Sequence, residues 1–136
     1  MTYSHILVPV AFGEVEHSRQ ALDLARANLA PGGRITLLHA VDIPPPYVMQ
    51  YVPEGVISAK QHEIRDEMTE ILGDTPNSEA VTVEGAPGRA IAAWARDHDV
   101  DLIVLHSHRP GPADLVWGST AAYVVRHVTC SVHVLR

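Results

Sequence analysis

Asp101-Leu102-Ile103-Val104-Leu105, continuing into His106-Ser107-His108-Arg109-Pro110-Gly111-Pro112 and, a few residues on, Gly118-Ser119-Thr120, is the stretch that decides how this chain folds. The apolar run after Asp101 suits a strand covered on both faces, the polar Pro/Gly loop ends it, and Gly118-Ser119 opens a helical pattern. A strand that passes through a polar loop into a helix start is a unit of an α/β sheet. The first amides of such a helix have no partners inside it and point outward, which makes the junction an anion site and phosphate the first ligand to consider.

The same alternation runs through the rest of the chain. His5-Ile6-Leu7-Val8-Pro9-Val10 reads as a strand, and Ala21, Leu22, Leu24, Ala25 and Leu29 recur at helical spacing from Glu16 to Leu29, where Pro31-Gly32-Gly33 stops the pattern. Arg34 to Val41 predicts a second strand. Ile43 to Pro53, with Pro44-Pro45-Pro46, predicts a loop that joins neither a helix nor a central strand, and segment 43–57 is long enough to suggest a lid or binding loop. Ser58 to Leu72 predicts a helix with Ile64, Met68, Ile71 and Leu72 on one stripe, closed by Gly73. Ala80 to Val83, Pro87 to His98, Asp101 to Leu105, Ser119 to His127 and Ser131 to Leu135 complete the series as strand, helix, strand, helix and strand. The result is one α/β domain over 1–136, a five-stranded parallel sheet with right-handed crossovers and helices on both faces.

Composition narrows the partners. With 136 residues the chain is large enough to bury a core without disulfides or metal, and no apolar run reaches the roughly 20 residues that span a bilayer. The opening Met1-Thr2-Tyr3-Ser4-His5 lacks the pattern of an export signal, so a cytoplasmic location is expected. A net charge of -6 with scattered Lys and Arg argues against nucleic acid and anionic membranes. The one cysteine, Cys130, sits before an apolar strand and reads as a packing residue.

In an open α/β sheet ligands bind outside the carboxyl ends of the strands. Those ends are Pro9-Val10-Ala11-Phe12, His39-Ala40-Val41-Asp42 and the His106 loop, with Gly118-Ser119 beside them. Gly118 and Ser119 also serve as ordinary helix caps. His39, His106 and His108 invite a metal reading, but no carboxylate or thiol accompanies them at ligand spacing, and no metal site is expected; His39 reads as packed beneath the loop with its ring nitrogens satisfied. Ser107 and Ser119 lack a nucleophile elbow or an oriented acid, so triad chemistry is not expected. Trp117 reads as core cover, and Glu63, Arg65, Asp66, Glu67 and Glu70 as the solvated face of a helix.

Over its whole length the chain resembles the universal stress protein family. The resemblance rests on Ile6-Leu7-Val8-Pro9-Val10, Leu37-Leu38-His39-Ala40-Val41, Glu84-Gly85-Ala86-Pro87, Asp101-Leu102-Ile103-Val104, and Gly118-Ser119-Thr120-Ala121-Ala122-Tyr123-Val124-Val125-Arg126-His127 leading into Cys130-Ser131-Val132-His133-Val134-Leu135-Arg136. It implies a Rossmann-like fold of strand order 3-2-1-4-5. It also implies a small stress-response or regulatory protein that binds an adenine nucleotide, ATP first, with or without Mg on the phosphates. The resemblance puts adenine near Pro9, Val10, Ala11 and Ala40, and the phosphates over His106, Ser107, His108, Arg109, Gly118, Ser119 and Thr120. Nucleotide-binding members carry Gly-x2-Gly-x9-Gly-Ser/Thr in this loop; here His106 and Arg109 stand at the two glycine positions, the spacer is shorter, and Ala11 stands where an Asp is frequent. The short Ser-His-Arg-Pro loop looks like one bacterial branch of the family, in which Arg109 and His108 would replace backbone donors with side-chain ones. No general base stands out, so dedicated catalysis is not expected, and slow ATP hydrolysis stays open. The competing reading is a nucleotide-free signalling or interaction module of the same fold. In the implied strand order Ser131-Val132-His133-Val134-Leu135 lies at a sheet edge, which predicts a homodimer through that strand.

Overall fold

Ile6, Leu7 and Val8 are each fully buried although successive strand residues point to opposite faces, so the strand that carries them is covered on both sides. Ile6 and Val8 pack with Ala21, Leu22, Ala25, Ile64, Met68 and Ile71. Leu7 faces the other way, among Leu38, Ile91, Ala95, Ile103, Ala121 and Val124. These two clusters are the two halves of a three-layer core in a computed structural model that describes residues 2–107 and 118–136.

The elements in order are β1 (Tyr3–Pro9), α1 (Val15–Ala27), β2 (Leu29–Val41), α2 (Pro46–Met49), α3 (Val56–Leu72), β3 (Ser78–Glu84), α4 (Pro87–Asp97), β4 (Leu102–His106), α5 (Ser119–His127) and β5 (Ser131–Leu135). The strands form one parallel sheet in the order β3-β2-β1-β4-β5. The first helix layer is α1 and α3, and the second is α4 and α5. Chain direction reverses its progress across the sheet between β1 and β4, so the carboxyl ends of these two neighbours flank the crevice where such sheets take ligands.

Three local expectations change. Helix α1 stops at Ala27, short of Leu29, because Asn28 caps it: its backbone N–H reaches Ala25 O and its side-chain amide donates to Leu24 O at 2.8 Å. Strand β2 therefore begins at Leu29, and the Pro31-Gly32-Gly33 segment is an excursion within it; Tyr3 pairs with Leu29, whereas His5 pairs with Arg34. Gly33 sits where a Cβ would lie 3.0 Å from Ser4 O and 2.7 Å from Leu29 Cδ1, so a side chain cannot enter. Finally, the triple proline does join a helix: Pro46 opens the short α2, a first-turn position where its missing N–H leaves no bond unmade.

At the amino end of the sheet a polar network crosses three strands. Asp101 accepts from the amides of Ser4 and His5 at 2.8 and 2.9 Å, clipping β1 to the start of β4. The buried His5 ring places Nδ1 3.0 Å from His98 O and Nε2 3.0 Å from Thr36 Oγ1, and Thr36 Oγ1 lies 3.3 Å from Glu79 Oε1. A carbonyl can only accept, so Nδ1 carries the hydrogen and Nε2 accepts from Thr36 in the neutral ring. Burial holds the His5 pKa below its usual value, and the bond to the His98 carbonyl opposes this more weakly.

Candidate functional site

The carboxyl ends of β1, β2 and β4 and the starts of α1, α4 and α5 enclose a cleft of about 200 Å³. Pro9, Val10, Ala11, Ala40, His106 and Thr120 of the sequence-derived set line it. The floor is apolar, with Ala21, Leu38, Ile91, Leu105 and Ala121. A concave, mostly apolar surface with few polar groups is the usual form of a small-molecule site.

Ser107 stands at the rim, where Gly118 N donates to its hydroxyl at 3.4 Å, and Ser119 is exposed. The N-cap of α5 is Gly118 in an extended conformation, and Ser119 is the first helical residue, so serine does not cap this helix. The helical ladder begins with Ala122 N donating to Gly118 O at 3.0 Å, which leaves the amides of Ser119, Thr120 and Ala121 ahead of it. His108, Arg109 and Trp117 lie outside the described residues. His39 lines the cleft with Nδ1 donating to Val10 O at 2.9 Å, so it ties β2 to the turn after β1. Among the described residues no three His, Cys, Asp or Glu side chains gather as a metal centre.

The structure adds residues that the sequence pattern does not single out. Glu14, His17 and Ser18 line the cleft from the start of α1. The His17 and His106 rings stack with centroids 4.1 Å apart and planes 22° from parallel. His17 Nδ1 lies 3.0 Å from Glu14 Oε2, and His106 Nε2 lies 3.2 Å from Gln20 Oε1. In sequence these are only the polar face of an amphipathic helix; what marks them is that the first turn after β1 opens at the same edge as the end of β4. Glu67 also differs from a purely solvated charge: its carboxylate accepts from Gly13 N at 3.1 Å and steadies the turn that carries Ala11.

The Universal stress protein family pattern matches residues 2–136. A universal stress protein of Methanothermobacter thermautotrophicus is 30% identical over 150 aligned positions, covering 98% of this chain and 96% of that one. Among solved structures, a universal stress protein in complex with cAMP shares the fold at a TM-score of 0.65 with 20% identity, over 100% of this chain and 98% of the other. The universal stress protein from Archaeoglobus fulgidus in complex with dAMP does so at 0.65 with 18% identity, over the full length of both. With the five strands in the order 3-2-1-4-5 and the family pattern running from Thr2 to Arg136, the chain belongs to the universal stress protein family.

Proposed function

We propose that this chain binds an adenine nucleotide, ATP in the first instance, in the cleft at the carboxyl ends of β1, β2 and β4. The observation that carries the reading is the coincidence of an apolar pocket with the open helix start of α5 at Thr120 and Ala121. Ala11, Ala40 and the Pro9-Val10 backbone offer room and apolar surface for a planar base. The leading amides of α5 suit the phosphates. Structurally alike proteins captured with cAMP and dAMP point to the same ligand class. The family supports a stress-response or regulatory role, and a single cysteine suits a reducing cytoplasm.

Calorimetric titration with ATP, ADP and AMP tests the reading. Gly118 has φ −68°, and a Cβ there meets no described atom within 4 Å, so Gly118→Leu places a side chain before the helix start without backbone strain. Binding by the wild type and its loss in Gly118→Leu are expected. Absence of heat and of any thermal shift at millimolar nucleotide would favour the nucleotide-free interaction module. That second reading draws on Tyr47 and Tyr51, 71% and 79% exposed, the first in α2 and the second in the turn after it.

A further inference from the structure

Charge is divided unequally between the two helix layers. Helix α3 carries Glu63, Asp66, Glu67 and Glu70 against Lys60 and Arg65, whereas α4 and α5 together carry Arg89, Arg96 and Arg126 against Asp97. The groove between α1 and α3 follows that sign, with the four carboxylates of α3 and Arg19 among its walls. Between α4 and α5 lies another groove, of about 380 Å³, whose charged side chains are Arg89 and Arg96, with His127 beside them. No described carboxylate lines it.

Arg89, Ala92, Ala93 and Arg96 stand at positions i, i+3, i+4 and i+7 of α4, which puts them on one face with the two cations about 10 Å apart along the axis. Both arginines are exposed; among the described residues Arg89 has no ion pair, and Arg96 pairs only with its neighbour Asp97, at 3.1 Å. An exposed pair of that kind holds its partners weakly, so both guanidinium forks are open to an incoming carboxylate. On the α5 side His127 is fixed, its ring stacked 3.8 Å from that of Tyr123 and its Nδ1 donating to Tyr123 O at 2.8 Å. Between the cations the groove is lined by Ala92, Ala93 and, from the end of α5, Val128. A phosphate chain is charged along its whole length and gains nothing from such a floor, whereas a helix with acids one step of seven apart and apolar residues between them matches both the ends and the middle.

We infer that the α4–α5 groove is a docking site for an acidic helix of a partner protein, one whose carboxylates recur at i and i+7 around small apolar residues at i+3 and i+4. Each acid meets one arginine fork, and the apolar turn between them lies over Ala92 and Ala93. The net charge of -6 repels an acidic segment from most of the remaining surface and so confines it to this face. The groove shares no lining residue with the nucleotide cleft, and the two readings stand or fall separately.

Fluorescence anisotropy with two labelled alanine-rich peptides of about 18 residues, long enough to hold helix, tests the site. Both carry valine at i+3 and i+4; one has Glu and the other Gln at i and i+7. Wild-type protein is expected to bind the Glu peptide at least roughly tenfold more tightly than the Gln peptide, with the difference narrowing as salt rises from about 0.05 M to about 0.5 M. Arg89→Gln combined with Arg96→Gln is expected to abolish the preference. Ala93→Glu, which sets a carboxylate on the floor between the two cations, serves as the second variant and is expected to do the same, while Arg65→Gln, an equal loss of charge on α3, leaves the preference intact. No binding of the Glu peptide, equal binding of the two peptides, or a preference that survives in both groove variants would overturn the docking site. Binding of inorganic polyphosphate to the wild type but not to the arginine variant, without binding of either peptide, would overturn it in favour of a phosphate chain.

Discussion

Thr36→Val removes one hydroxyl from the middle of the sheet and changes almost nothing else in shape. Thr36 is fully buried, and its Oγ1 is the partner of His5 Nε2 at 3.0 Å. Loss of the hydroxyl leaves a buried ring nitrogen unsatisfied, which costs about 1–3 kcal/mol. A methyl in its place returns up to about 0.8 kcal/mol of apolar burial. Glu79 is exposed and stays hydrated with or without the hydroxyl. A net destabilisation of about 1–2 kcal/mol is expected, or roughly 3–6 °C in melting temperature for a chain of this length. Urea denaturation at about pH 7.5 should show a lower midpoint at unchanged slope. The wild type adds a pH arm. Burial lowers the His5 pKa, so the unfolded chain binds the proton more readily; stability is full above about pH 6.5 and declines as pH falls from there toward the lowered native value. An unchanged midpoint in Thr36→Val, together with a flat wild-type profile below about pH 6.5, would refute the network as drawn.

Gly88→Ala would place a Cβ 2.8 Å from Tyr123 Cβ, where α4 meets α5, and overpacking of about 1–3 kcal/mol outweighs the helix-propensity gain of at most about 1 kcal/mol, so a lower urea midpoint is expected. Arg109→Ala should weaken ATP binding by roughly tenfold to a hundredfold, as for loss of a charge-assisted hydrogen bond; equal affinity by calorimetry would remove that side chain from the phosphate site. Light scattering at micromolar concentration should give twice the chain mass, because β5 is an edge strand, and Val134→Pro should shift the mass toward the monomer; a wild-type monomer would end the dimer reading.

The sheet is legible in the sequence because a parallel strand buried on both faces has to be a continuous apolar run, as Ile6-Leu7-Val8 and Leu102 to Leu105 are. Periodicity cannot show the order of the strands. The order 3-2-1-4-5 came with the family resemblance. The amino-terminal half of β2 escapes pattern reading because Pro31-Gly32-Gly33 has the composition of a turn, and its place in the sheet is set by close contact with Ser4. Pro46 is misread for a related reason: proline forbids a helix interior and permits a helix start, and only geometry tells the two apart. Of the candidate site, the β-strand ends are legible as the places where apolar runs stop. His17 is not, because it meets His106 only once β1 and β4, far apart in the chain, have become neighbours.

Thr36 has a single hydroxyl hydrogen and two acceptors within reach, one on each neighbouring strand. While His5 is neutral, that hydrogen belongs to the imidazole. Once the ring is protonated, Nε2 becomes a donor, and the hydroxyl must rotate to offer its hydrogen to Glu79. The position of one hydrogen atom on β2 therefore records the charge state of β1 and passes it to β3. A carboxylate at the rim of the sheet becomes, through one rotating bond, the remote counterion of a histidine that water does not reach.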